Sequence, residues 1–290
     1  MAEIRSGQKI SAGLYIVATP IGNLGDVSKR ANEILSGVDY IACEDTRVTA
    51  KLLSALLLKK PLIQYHEHNG EIQRPKILGK IAEGASVALV SDAGTPLISD
   101  PGYKLVDEAR EAGHRVTAIP GPCALVTALS LAGLPTDRFM FMGFPPNKTK
   151  ARTEWFEAEK NTKASLIFYE SAKRLPACLE DAASVLEGRK VAVCRELTKK
   201  FEEVVRGNLN DIATHYAESG PPKGEVVVIL SAPDKGTIKQ TGNVEADTDK
   251  LLEKALTYMR VKDAASFVSD LTGIKKKELY NRALELSGKN

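Results

Sequence analysis

The chain has 290 residues, 43% of them hydrophobic and 27% charged, with 40 Lys/Arg against 37 Asp/Glu. That balance fits a globular chain of two domains and a short appendage, and excludes a disordered or strongly polyionic one. The net charge of +3 is carried after residue 234, where eleven Lys/Arg face eight Asp/Glu, so the first 234 residues are formally neutral.

The N-terminal stretch MAEIRSGQKIS lacks the apolar core of a secretory signal, and no apolar run approaches the ~18 residues of a membrane span. A cytoplasmic protein without membrane contact is expected. LYIVA at 14–18 predicts a buried strand bounded by Gly13 and Thr19-Pro20. The loop IGNLGD and a helix over 27–35 follow, with Asp26 as its N-cap. Further strands are expected at 38–43, 62–65, 87–90 and 115–119, with helices at 46–57 and 102–111. This alternation predicts an α/β fold with a largely parallel sheet.

Pro120-Gly121-Pro122 breaks the chain, and the small-residue helix CALVTALSLAG follows. Strands at 139–144, 165–169, 191–195, 201–207 and 225–230, with helices at 173–186 and 209–218, predict a second α/β unit containing antiparallel neighbours. The polar stretch 232–249 reads as a linker. Three short helices with a break at Gly273 complete a helix-turn-helix-like tail. Lys275–Lys277 there suits either a solvated helix face or contact with RNA phosphates. Cys43, Cys123, Cys178 and Cys194 form no CxxC pair; three sit among apolar or small residues and read as reduced core thiols.

Ligands of open α/β sheets bind at the carboxyl ends of the strands. Three Gly/Pro-rich loops fall there: TPIGNLGD after the first strand, SDAGTPLISDPG after the fourth and IPGPCAL after the fifth. Gly allows close backbone approach, Pro fixes φ, and Asp can cap the backbone or accept from ribose hydroxyls. None of the three contains GxxxxGK[ST], a clean GxGxxG or a lysine, so a triphosphate finds no counter-charge. A neutral-to-acidic cradle suits a ligand with a base, a ribose and a positive group, and S-adenosylmethionine has all three.

Proton acceptors and phosphate-binding cations are available at Glu44, Asp45 and Arg47 of EDTR, at Glu170 and Ser171 of FYES, and at Arg195, Glu196 and Lys199 of RELTK. Each equally suits a salt bridge that orients a loop. His66-Glu67-His68 has possible zinc ligands, but only alternate residues share a face and no Cys or third His is near, so no metal site is expected.

LYIVATPIGNLGD, IACEDTR, ALVSDAGTPLISDPG, PGPCALVTALSLAGLPTDRF, LIFYES, RELTKKFEEVVRG and KGEVVVIL occur in this order. Through them the chain resembles, over about 13–232, the ribosomal RNA small subunit methyltransferase I family of the tetrapyrrole-methylase fold group. Its tail is similar to that family's C-terminal helix-turn-helix segment.

The resemblance implies two α/β domains, 12–120 and 121–234, with the cofactor cleft between them and the tail at 235–290. It implies transfer of a methyl group from S-adenosylmethionine to the ribose 2′-oxygen of a cytidine in the decoding centre of 16S rRNA, within the 30S particle, by a homodimer. The cofactor would meet Asp92, Ala93, Gly94, Thr95, Ser99 and Asp100, then Cys123 and Ala124, then Phe168 and Tyr169. Gly224 of the KGE turn would close over the adenine, and Pro20 of the first loop would join the set. Glu44, Arg47 and Glu170 are the catalytic candidates. The GxGPG-like first loop of the founding tetrapyrrole methylases is here Ala18-Thr19-Pro20-Ile21-Gly22-Asn23, a departure that favours the rRNA branch. A tetrapyrrole methyltransferase and a non-catalytic RNA-binding protein remain the alternatives.

Overall fold

In a computed structural model of the chain, the described residues are 10–233 and 244–287. They divide between a compact unit that ends at Pro233 and a second that begins at Asp234. In the first unit, β1 (Gly13–Val17), β2 (Tyr40–Cys43), β3 (Leu62–Gln64), β4 (Ser86–Val90) and β5 (Val116–Ile119) pair in parallel in the order β3-β2-β4-β1-β5. All five residues of β4 are buried, as a central strand covered on both faces requires. α1 (Lys29–Gly37) and α2 (Thr46–Ala55) pack Ile34, Leu35 and Leu53 against one face, onto Val17, Ile41 and Val90. α3 (Gly70–Ala82) and α4 (Tyr103–Glu111) pack Ile77, Ile81 and Leu105 against the other, onto Leu14, Val87 and Leu89. The strand order reverses within this doubly wound sheet, and the loops from adjacent β4, β1 and β5 emerge together at one end.

α5 (Ala124–Ala132) follows β5 and leads to a mixed sheet. β6 (Phe139–Phe141), β7 (Ser165–Ser171), β8 (Lys190–Arg195), β9 (Glu203–Asn208) and β10 (Glu225–Leu230) lie in the order β6-β7-β10-β8-β9. Only β6–β7 is parallel. α5 packs Leu125, Ala128 and Leu129 on one face, against Ile167, Cys194 and Ile229. α6 (Thr149–Ala158), α7 (Leu175–Val185) and α8 (Leu209–Ser219) cover the other, around Phe156, Phe168 and Val228. Cys43, Cys178 and Cys194 are buried free thiols, and Cys123 is half-buried.

Local details differ from the sequence expectations. Asp26 does not cap α1: it ends a short 3-10 turn over Leu24–Asp26, and Ser28 Oγ accepts from Ala31 N–H as the N-cap (3.1 Å). A serine oxygen two residues on was in better register with the orphan amides of the first turn. α3 and α6 were not anticipated. Pro75 lies inside α3 and punctuates its pattern, and α6 has four charged residues in ten, with Arg152 and Phe156 as its buried residues. Of the expected linker, 234–243 lies outside the described residues, as does 1–9, whereas 244–249 already belongs to α9 (Val244–Leu256).

In the second unit α9, α10 (Val261–Thr272) and α11 (Lys276–Leu286) enclose Leu252, Ala264, Val268, Leu279 and Ala283. Gly273 ends α10 in the left-handed region at φ 71°. Arg282 grips Asp249 with two hydrogen bonds of 2.8 and 2.5 Å, which joins α11 to α9. Among the described residues no helix is long and apolar enough to cross a membrane.

Candidate active site

The loop after β4 is held by its neighbours on both sides. Thr19 N–H donates to the Gly94 carbonyl (2.9 Å) and Gly94 N–H returns the bond to Thr19 (3.1 Å). Thr95 Oγ1 donates to the Pro122 carbonyl (2.9 Å), which fastens the same loop to the turn after β5. Gly94 has φ 84°, and a Cβ there would meet Ile21 at 3.3 Å. Leu97 (74°) and Ser99 (63°) also lie at positive φ, where a side chain costs about 1–2 kcal/mol. This stored strain is typical of loops shaped for a ligand.

These loops floor a cleft of about 480 Å³, within the ~300–1,000 Å³ of small-molecule sites. Asp92, Ala93, Gly94, Thr95, Ser99, Asp100, Cys123 and Ala124 line it from the first sheet's side. Tyr169 and Gly224 line it from the second, so ten of the twelve expected cofactor contacts converge. Pro20 and Phe168 do not. Ile21 takes the place of Pro20 in the wall. Phe168 points to the opposite face of β7, fully buried among Phe156, Leu175 and Cys178.

Ile98, Phe144, Leu197 and Val227 also line the cleft without having been singled out. Each is an apolar residue within or beside a quoted motif, and only the fold shows that it turns inward. Tyr169 stands edge-on to Phe141 (4.9 Å) and Phe144 (5.5 Å), which makes an aromatic wall. Burial pushes the Tyr169 phenol up to about 12, so it stays a hydrogen-bond donor.

Among the described residues no Lys, Arg or His lines the cleft, whereas Asp92, Asp100, Glu170 and Glu225 do. Burial raises the Asp100 carboxyl to about 6, and the charges of Glu44 and Asp92 add to the effect against a hydrogen bond from Ser91. The Glu170 carboxylate is turned away from the cleft. It is 1% exposed and pairs with Arg174 at 3.0 Å. Arg174 in turn donates to the carbonyls of Pro145 (2.7 Å) and Pro146 (3.2 Å) and to Asn147 Oδ1, so Glu170 anchors the loop that carries Phe144.

Glu44 is exposed at the carboxyl end of β2. Arg47 is exposed on the first turn of α2, where it bonds Asp45 through Nε (3.0 Å) and Nη2 (2.6 Å). These bonds hold the Asp45 carboxyl down at about 2. Asp45 N–H reaches Asp92 Oδ1 at 3.3 Å, which ties the EDTR turn to the cleft loop.

The RELTK turn locks against the KGE turn. Lys199 Nζ bridges Glu196 (2.8 Å) and Glu225 (3.1 Å), and Arg195 joins Glu203 (2.9 Å) and the Lys223 carbonyl (3.1 Å). Gly224, at φ 98°, has no room for a Cβ because the Glu196 carboxylate occupies that space. His66 and His68 stand apart from the cleft in a cavity of their own, and no group of three metal-ligating side chains exists among the described residues.

The two sheets and the cleft define a class that comparison makes explicit. Residues 13–213 match the family model Tetrapyrrole (Corrin/Porphyrin) Methylases, and 242–287 match the RsmI C-terminal HTH domain. Uroporphyrin-III-C-methyltransferase from Thermus thermophilus aligns at TM-score 0.53 and 19% identity, over 75% of this chain and 94% of that one. The methyltransferase CobJ aligns at 0.58 and 18%, over 77% and 95%. These two show a shared fold.

Closer likeness comes from ribosomal RNA small subunit methyltransferase I of Mesorhizobium japonicum, 47% identical over 278 residues (96% of this chain, 93% of that protein). The Erythrobacter litoralis protein of the same name is 49% identical over 286 residues, 99% of each chain. That of Escherichia coli O157:H7 is 44% identical over 290 residues, 99% of this chain and all of that protein. The chain belongs to the ribosomal RNA small subunit methyltransferase I family.

Proposed function

We propose that the chain is an S-adenosylmethionine-dependent methyltransferase that modifies the ribose 2′-oxygen of a cytidine in the decoding centre of 16S rRNA, within the 30S particle. The observation that carries the reading is a cleft that no Lys, Arg or His among the described residues lines, with the Asp92 and Asp100 carboxylates in its wall. Such a wall repels a polyphosphate and favours a cationic donor. Asp92 and Asp100 would hold the donor's amino group and ribose, and Ile21, Leu197 and Val227, with the Tyr169 wall, would enclose the adenine. The donor supplies a methyl carbon made electrophilic by sulfonium. The ribose oxygen forms its bond to that carbon as the carbon–sulfur bond breaks, and the hydroxyl proton leaves to a base. Alignment supplies most of the acceleration.

Glu44 is the proton acceptor in this reading and Arg47 the phosphate contact, because both stand at the open carboxyl end of β2 beside Asp92 and Asp100. Glu44→Gln should lower turnover about tenfold, below the ~10²–10⁴ of an enclosed base because Glu44 is exposed. Arg47→Ala should raise KM for the particle and reduce the salt slope by about one. Full methylation by both variants, with unchanged KM and donor affinity, removes these two roles. Val126 and Leu131 on α5 and Phe139 on β6 are exposed, and this supports pairing of two copies. The substrate places the protein in the cytoplasm.

The test is transfer of label from methyl-labelled S-adenosylmethionine to 30S particles, naked rRNA and a porphyrin precursor. Alkali-resistant label on a 30S cytidine is expected. Label on the porphyrin alone, or on none of the three, overturns the reading.

A further inference from the structure

A second cavity, of about 210 Å³, lies across the 91–102 loop from the cleft. Ser99 and Asp100 line the cleft, whereas Pro101 and Gly102 line this cavity, so one strained loop forms part of both walls. Its volume falls below the ~300 Å³ at which pockets for whole small ligands begin, which suits one unit of a longer polymer. Its chemistry also differs from that of the cleft. Arg74, Lys104, His66 and His68 supply donors that the cleft lacks.

Two helix N-termini open into the cavity, α3 at Gly70 and α4 at Gly102-Tyr103, and neither N-cap makes a side-chain hydrogen bond. The positive end of a helix dipole favours a phosphate. His66 and Asn69 close the 3-10 turn Glu67–Asn69 that leads into α3 as a capping box, in which His66 N–H donates to Asn69 Oδ1 (2.9 Å). The Tyr103 ring is 64% exposed, with Lys104 Nζ 5.9 Å from its centroid. Glu67 and Glu71 share the wall. These two carboxylates disfavour a free multivalent anion, yet they offer acceptors to the amino groups of a base. Arg74 is already bound to Glu108 at 2.5 Å, so it shapes the wall and Lys104 is the uncommitted cation of α4's first turn.

We infer that this cavity is a substrate subsite that seats one nucleotide of the RNA strand next to the modified one, its base on Tyr103 and its phosphate at the α3 and α4 N-termini beside Lys104. The inference rests on the RNA methyltransferase reading above. It makes the 91–102 loop a partition with the methyl donor on one side and the RNA strand on the other.

The experiment measures steady-state methylation of 30S particles by Tyr103→Ala, Tyr103→Phe, Lys104→Ala and His68→Ala, together with donor affinity by calorimetry. All three positions are exposed, so folding is not at stake, and thermal melting checks this. Tyr103→Ala should raise KM for the particle about tenfold, the loss of one base–aromatic stack, with donor affinity unchanged. Tyr103→Phe should restore wild-type KM. Lys104→Ala should reduce the salt slope of particle binding by about one. Wild-type KM in every variant overturns the subsite alone, and so does a loss in Tyr103→Phe equal to that in Tyr103→Ala. Absence of label transfer by the unaltered protein overturns the functional reading and the subsite with it.

Discussion

Asp100→Asn is expected to weaken binding of S-adenosylmethionine by about 10–100-fold, because a hydrogen bond to a charged group contributes about 1.5–3 kcal/mol. Asp100 lines the cleft and its carboxyl is raised to about 6 from an ordinary 3.8, first by burial and then by the charges of Glu44 and Asp92. A cationic ligand selects the ionised carboxylate. Donor affinity should therefore be full above pH 6 and fall as the pH drops through it, by up to about tenfold per pH unit until the pKa of the bound state is reached. The ligand-free protein behaves in the opposite sense. A folded-state pKa above the unfolded one gives stability that is complete below about pH 3.8 and lost as the pH rises through about 6. Binding of the donor should offset that loss, so its stabilising shift in Tm should be larger at pH 7.5 than at pH 5.5. In Asp100→Asn the step near pH 6 should vanish from the calorimetric affinity profile. Persistence of the same step in the variant assigns the titration to another group, and unchanged affinity removes Asp100 from the donor site.

The floor of this site was legible because its loops are built from residues with strong local preferences. Gly, Pro and Asp at 91–102 announce a constrained turn, and the parallel order of β4, β1 and β5 then brings three such turns to one end. The walls were less legible. Ile21, Phe144 and Leu197 come from three separate loops, and only tertiary packing turns them toward one cavity. Charge roles were hidden for a similar reason. Nothing in EDTR shows that the exposed Arg47 rests on Asp45 in the absence of RNA, and nothing in FYES shows that the Glu170 carboxylate is spent on Arg174. The missed helices have physical causes as well. Pro75 interrupts the pattern of α3, and α6 buries little besides Arg152 and Phe156, so its charged surface reads as loop. Arg152 is held there by Asp181 at 2.5 Å, a pairing that no local pattern encodes.

Phe168→Ala should destabilise the protein by about 3–5 kcal/mol, the range for loss of a fully buried phenyl ring. Phe168 and Tyr169 are neighbours on β7, and both were expected to touch the cofactor. Adjacent side chains on a strand point to opposite faces, so at most one can face the cleft directly. The pattern SLIFYES does not say which, because both faces of this sheet are covered and both positions are apolar or aromatic. Packing decides it. Phe168 is 0% exposed and meets Phe156 at 5.6 Å and Trp155 at 5.9 Å, edge to face, beneath α6 and α7. Tyr169 looks the other way, into the cleft. Tyr169→Ala should thus weaken donor binding, whereas Phe168→Ala should shift the denaturation midpoint and leave the affinity of the remaining folded protein close to normal. Chemical denaturation and calorimetry on both variants separate the two. If Phe168→Ala instead cost donor affinity without stability, β7 would have to be turned over. The Glu170–Arg174 pair that holds the Phe144 loop would then face the cleft, which no Lys, Arg or His among the described residues lines.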